Sequence, residues 1–235
     1  MLGAGSNDNI PVSRIACKTH RLINSRHPTV GVFDRVASPD QARAAMLIEQ
    51  LTNPRNTAIS ERFARIPAKE LVLGQSGATM IMASFIHTYE TGGRFHSAQL
   101  GAWYASFSIT TAIRETVYHQ YRRLRQSHME IRGTITQLRE LVSNIHADFH
   151  DIRGLQGAMP DVYAKEDYTH SQPLAFALRK SGSNGVCYAS VRHETGENIA
   201  VFKPSLLPPV QQGDHYQYEW YTDAELVIRK LTNVA

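Results

Sequence analysis

The stretch richest in possible chemistry runs from Gly92 to His119. The pair Gly92-Gly93 leads into Arg94, Phe95 and His96. Tyr104 follows ten residues after the arginine, and Glu115 eleven residues after the tyrosine. Gly-Gly marks a tight turn, and residues 102–107 read as a short strand. Ser108 is a good N-cap for a helix over 109–125, with Ile109, Ile113, Val117, Tyr121 and Leu124 on one face. On that helix Glu115 lies about 60° beyond Ala112, which lets it face a cleft between helix and sheet. A cation, an aromatic ring and a carboxylate are thus spaced to converge on one ligand. Singly, each also has a plain structural reading: Arg94 in a surface pair, Tyr104 in the core, Glu115 on a solvated face.

Other clusters are weaker. His146, Asp148 and His150 would share one face of a strand, with Asp151 beside them, which raises the question of a metal. Nothing elsewhere in the sequence offers matching ligands, so an exposed polar strand edge is the preferred reading and no metal is expected. Arg122, Arg123 and Arg125 close the 109–125 helix, where cations suit the helix dipole. Gly3 and Gly5 lack the preceding strand and third glycine of a dinucleotide-binding turn, and neither GxxxxGK[ST] nor GxSxG occurs.

Taken together, several segments resemble the RES-domain family, the toxin half of RES–Xre toxin–antitoxin pairs. They include Thr19-His20-Arg21, Ser25 to Pro28, Leu51 to Arg55, Gly93-Arg94-Phe95 through Trp103-Tyr104, Thr111 to His119, Tyr168 to Gln172, Leu178 to His193 and Val201 to Pro204. The resemblance spans roughly residues 17–210. It implies a single α+β domain with an ADP-ribosyltransferase-like mixed β-sheet core and flanking helices. It also implies NAD as substrate, cleaved between nicotinamide and ribose, with ADP-ribose passed to phosphate or water: an NAD phosphorylase or glycohydrolase that depletes cellular NAD. Transfer to a protein is the alternative. By position, Arg21 and Arg94 would hold the pyrophosphate, Tyr104 would pack on nicotinamide or ribose, Glu115 would be the central carboxylate, and Ser171 the site serine, with Ser190 its rival. Arg65 is the fallback for Arg21, because Arg21 lies far ahead of Arg94. His20 and Phe95-His96 depart from common family residues. A DNA-binding Xre-type antitoxin is the implied partner.

Those residue types suit the reaction. Nicotinamide leaves from a cationic pyridinium and needs little acid assistance, while the ribose develops oxocarbenium character that a carboxylate stabilises. Arginine's planar fork matches pyrophosphate. A tyrosine face against the pyridinium is a cation–π contact of roughly 0.5–2 kcal/mol. Ser171, at the start of a helix, has the alternative role of a plain cap.

The elements that must position these groups can be read in outline. Residues 1–16 read as a lead-in, with a short strand over 16–23. Helices are expected over 39–52, with Ala42, Ala45, Met46, Ile48 and Leu51 inward, and over 169–181, stopped by Gly182. Residues 78–89 are apolar enough for a buried helix or strand, and the 78–86 segment could serve a homodimer. Residues 128–152 read as strands and connections, 153–167 as loop, 185–191 and 198–203 as strands, and 216–222 as a last strand before a terminal helix over 223–232. Residues 211–235 are expected to pack on the same domain.

Composition sets the outer bounds. The 235 residues are 42% hydrophobic and 20% charged, within the range of folded soluble domains, with no apolar run long enough for a membrane span. Twenty-five Lys/Arg against 21 Asp/Glu give +4, and residues 1–68 carry all of that surplus with nine cations and five acids. A basic N-terminal third predicts an anionic partner; a nucleic-acid-binding module is the least favoured reading. Cys17 and Cys187 form no disulfide framework, and no secretory signal is visible, so a cytoplasmic protein with two free thiols is expected.

Overall fold

A computed structural model describes residues 10–27, 31–52, 57–128 and 130–232. Pro28, Asn53 to Arg55, Gly3 and Gly5 lie outside the described residues, as does Leu51's side chain. Among the described residues seven strands make one mixed sheet: β1 (Val12–Asn24), β2 (Trp103–Ser106), β3 (Ile135–Asp151), β4 (Gly185–Ala189), β5 (Glu197–Val201), β6 (Gln211–Trp220) and β7 (Leu226–Leu231). The order is β1-β2-β5-β4-β3-β6-β7, and β1 also pairs with β3. That pairing is antiparallel and continuous from Val12↔His150 to Asn24↔Leu138, whereas β1 meets β2 at His20↔Ser106. Five strands therefore form a closed ring, and β6 and β7 continue outward from β3. The one parallel pair is β3 with β4.

Among the described residues six helices accompany the sheet: α1 (Val32–Arg35), α2 (Pro39–Thr52), α3 (Thr57–Ala64), α4 (Ala78–Ile86), α5 (Ile109–Gln126) and α6 (Ser171–Lys180). The largest core cluster takes Ile15, Trp103, Phe149, Cys187 and Ile199 from the five ring strands and Phe33, Met46, Phe63 and Phe85 from α1 to α4. Alternation along each strand leaves the opposite face for other partners. There, Val186, Tyr188 and Ala200 pack with Ala175 and Leu178 of α6, while Leu22, Leu138, Tyr216 and Tyr218 pack with Ala112 of α5. Ser108 caps α5 as expected, its hydroxyl accepting the Thr111 N–H at 3.1 Å. Gly182 ends α6 with a left-handed φ of 85°.

The structure differs from the sequence expectations at several places. Residues 226–231 are strand rather than terminal helix, because β7 pairs along β6 and sets Lys230 against Asp214 and Arg229 against Glu219. Residues 135–151 are one long strand, and β6 starts at Gln211. His146, Asp148 and His150 do share the polar face of β3, but the strand is interior to the sheet: Asp148 pairs with Arg14 at 3.3 Å, and His150 bonds Ser183 at 2.8 Å. Ile48, expected inward on α2, is exposed, while Ala42 and Met46 are buried. Helices α1 and α3 had no clear sequence signal. The strand β1 begins at Val12, within the expected lead-in.

Phe149 is fully buried in the main cluster. Phe149→Ala should cost about 3–5 kcal/mol; a urea titration should show a lower midpoint at unchanged slope.

Candidate active site

Glu115 projects from α5 toward the ends of β4 and β5. Its Oε1 accepts two hydrogen bonds of 2.7 Å, one from Ser190 Oγ and one from Asn198 Nδ2. Ser190 stands just past β4, is 9% exposed, and accepts the N–H groups of Arg192 and His193 at 3.0 Å each. Asn198, in β5, is 2% exposed and accepts from Ser106 Oγ at 2.6 Å. The β4–β5 loop is fastened to α5 at two further points. His193 Nδ1 bonds Thr111 Oγ1 at 2.9 Å, and the Arg192 guanidinium lies 3.3 Å from the centre of the Tyr118 ring.

A second group surrounds Tyr104. Gly92, at a φ of 68°, turns the chain, and a bridge from Gly93 to His96 closes it. A side chain on Gly92 would strike the His96 carbonyl, so this turn requires glycine. The Tyr104 hydroxyl accepts the Phe95 N–H at 2.8 Å and meets His96 Nδ1 at 2.9 Å. With the amide as donor to the oxygen, the phenol proton is free to point at the imidazole nitrogen. Burial pushes the Tyr104 phenol up. Burial, with help from Arg179 and Arg21, pushes His96 down to about 4.

Three arginines lie around this ring. Arg21 donates to the Tyr104 carbonyl at 2.8 Å and lies 4.8 Å from the Trp103 ring centre. Arg94, 7% exposed, donates to the Val162 carbonyl at 2.8 Å and lies 5.0 Å from the Tyr168 ring centre. Arg179, in the last turn of α6, donates to the Gly101 and Phe202 carbonyls. Among the described residues none of the three has a carboxylate partner. Burial pushes Arg21 and Arg179 down to about 10, so both remain cations at neutral pH. Buried cations held by carbonyls and aromatic rings, with no ion-paired acid, are suited to an anion; Glu70 acts on Arg179 only from a distance. Tyr188, 6% exposed, links the two groups: it stands opposite Asn198 across the β4–β5 pair, and its ring meets that of Phe95, the neighbour of Arg94, edge-on at 4.8 Å.

The sequence-derived candidates therefore divide. Tyr104 meets Arg21 directly and feels Arg94, while Glu115 meets Ser190 rather than Ser171. Ser171 is fully buried as the first residue of α6, after His170, and its hydroxyl points at the Tyr168 carbonyl at 3.4 Å. Its neighbour Gln172 clamps the glycine turn, donating to the Thr91 and Gly93 carbonyls. Arg65 is exposed at the end of α3. Asn198, Gln172 and Arg179 were not singled out from sequence. Asn198 carried a signal, a lone amide heading an apolar strand; Arg179 was masked as a helix-end cation.

Fold and site together define an α+β protein with one pinned carboxylate and a set of acid-free arginines, equipped for an anionic ligand. Residues 62–221, well over half the chain, match the RES domain family, and the chain belongs to it. Arg21 lies ahead of the matched stretch. No curated protein matches the chain. Among solved structures, it is similar to a chain from the crystal structure of the M. tuberculosis MbcT-MbcA toxin-antitoxin complex, with 11% identity and a TM-score of 0.49 over 89% of this chain and 87% of that one.

The His96 shift has a sign. A histidine whose folded value is depressed binds fewer protons folded than unfolded, so its contribution is complete above about 6.5 and is lost as pH falls through about 4. The melting temperature should fall across that window, and His96→Gln should flatten the fall; an identical pH dependence in the variant would remove His96 as its source.

Proposed function

We propose that this RES-domain protein is the toxin of a toxin–antitoxin pair, cleaving NAD at the nicotinamide–ribose bond and transferring ADP-ribose to phosphate or water. The observation that carries this reading is the Glu115 carboxylate, fixed by Ser190 and Asn198, with Tyr188 opposite Asn198 and packed on Phe95, next to Arg94.

In this reading the arginines around Tyr104 take the pyrophosphate, whose paired anionic oxygens match the guanidinium fork. Arg94 and Arg21 supply that contact, with Arg179 adding to the local positive field. Anchoring the dinucleotide there brings the ribose to Glu115. The two donors occupy one oxygen of Glu115, and the other faces the ribose, where positive charge grows as nicotinamide departs. Tyr104 offers its ring to the nicotinamide end. Ser190 takes the role of site serine in preference to Ser171, because its hydroxyl touches the carboxylate. No residue need protonate nicotinamide, which leaves as a neutral amide. Family membership supports an antitoxin partner, and an Xre-type DNA-binding protein is the expected kind. NAD and phosphate are the small-molecule partners; a metal, a membrane and direct nucleic-acid contact form no part of the reading.

Glu115→Gln keeps an oxygen that can accept from Ser190 and Asn198 but removes the charge. Nicotinamide release should fall about 10²-fold or more with little change in thermal stability; an unchanged rate would sink the mechanism. Arg94→Ala should chiefly raise the NAD requirement. Purified protein given labelled NAD with and without phosphate identifies the acceptor: a phosphorylated ADP-ribose or free ADP-ribose fits the proposal, and label on protein would move it to a macromolecular acceptor.

A further inference from the structure

We propose that Asn198 is a positioning residue for Glu115, with its amide held in one orientation by Ser106. This inference rests on the reading of Glu115 as the working carboxylate. Asn198 is a 2% exposed amide in a strand that continues as Ile199, Ala200 and Val201. A buried amide needs partners at both ends, and here each end has one. Ser106 Oγ donates to Oδ1 at 2.6 Å, and Nδ2 donates to Glu115 Oε1 at 2.7 Å.

The backbone makes this arrangement rigid. Asn198 sits directly opposite Ser106 across the β2–β5 pair and opposite Tyr188 across the β4–β5 pair, so strands flank it on both sides. The orientation is also decided chemically. A reversed amide would set its oxygen against the carboxylate oxygen, two acceptors facing each other, and would leave Ser106 facing the NH₂ group. The Ser106 hydroxyl, 3% exposed, spends its proton on the Asn198 oxygen and so favours the observed orientation. The chain of bonds Ser106–Asn198–Glu115 thereby ties a side chain on α5 to the centre of the sheet and aims its second oxygen away from the strands. Ser190 alone would leave Glu115 free to pivot about a single contact.

The other titratable groups near Glu115 are His119, one turn along α5, and Tyr188 from β4; Arg192, on the β4–β5 loop, lies within reach of His119. None is altered by substitutions at 198 or 106, so a change in the acid–base behaviour of the site in those variants reports the Asn198 contact.

Asn198→Asp is close to isosteric and places a second carboxyl group against Glu115. Two carboxylates at that distance share a proton. The test uses the full-length chain with carboxyl-carbon NMR, the Glu115 signal being identified by its disappearance in Glu115→Gln. In Asn198→Asp that signal should titrate about one pH unit or more higher than in the parent, tenfold in proton affinity. The rate constant for nicotinamide release should fall more at pH 6 than at pH 8, with the KM for NAD within about twofold of the parent, as expected for a group that does not touch substrate. Ser106→Ala, which preserves the Asn198 contact but frees its orientation, should lower kcat severalfold at unchanged KM, and it carries the test if Asn198→Asp does not fold. A folded Asn198→Asp whose Glu115 signal titrates as in the parent overturns the proposal, as does a Ser106→Ala with parental kcat. The NMR titration needs no turnover, so a parent protein that releases no nicotinamide overturns the proposed function while the role of Asn198 is still read.

Discussion

Glu115 tolerates its half-buried position because two neutral groups direct their protons at one of its oxygens. Most of the architecture around it serves that contact. Ser190 is in reach because β4 ends at Ala189 and the chain turns there, its hydroxyl simultaneously accepting two backbone amides of the turn. Asn198 is in reach because β5 runs between β2 and β4. The height of α5 over the sheet is set by apolar packing of Ala112, Ile113 and Val117 against Leu22, Leu138 and Tyr218, reinforced by Thr116 bonding the Tyr218 hydroxyl at 2.8 Å. A shift of the helix would stretch two short hydrogen bonds at once, and each is costly to break when its partner is buried.

The acid-free arginines are the complement of that carboxylate. Positive charge without an ion-paired carboxylate among the described residues favours an anion from outside, and Glu115 is likewise in no ion pair among them. The N-terminal surplus of charge turns out to be dispersed: Arg14 pairs with Asp148, Arg43 with Asp40, and Arg62 donates to the Ala98 and Ile86 carbonyls. Arg21 alone among these enters the region of Tyr104. The strongest positive feature of the site is thus local, and net charge was a poor guide to it.

Strong periodicity made part of the molecule readable. Helices α2, α5 and α6 and strands β2, β4 and β5 lie where apolar spacing, Ser108 and Gly182 put them, and Arg94, Tyr104 and Glu115 fall on the turn, strand and helix expected for them. Three things were hidden. The short helices α1 and α3 lack enough turns to display a pattern. β7 has a segment, Leu226 to Leu231, whose state is decided by β6 alongside it rather than by its own residues. The serine beside Glu115 depends on which loop returns to α5, a tertiary fact that neither Ser171 nor Ser190 reveals from local sequence. Asn198 differs in kind: an amide heading an apolar strand is visible in the sequence, but its role is visible only with Ser106 and Glu115 on either side of it.

The long pairing of β1 with β3 has a consequence for how the protein comes into being. Every residue of β1 finds its β3 partner between Leu138 and His150, more than a hundred positions later in the chain, so β1, apart from its single meeting with β2 at Ser106, waits for its main partner until well over half of the protein has followed. The groups that hold Glu115 arrive later still, at 190 and 198. Long-range closure of this kind is slow compared with local folding. The growing polypeptide is therefore without the contacts that fix Glu115 for most of its synthesis, and they can form only as the last third of the chain emerges.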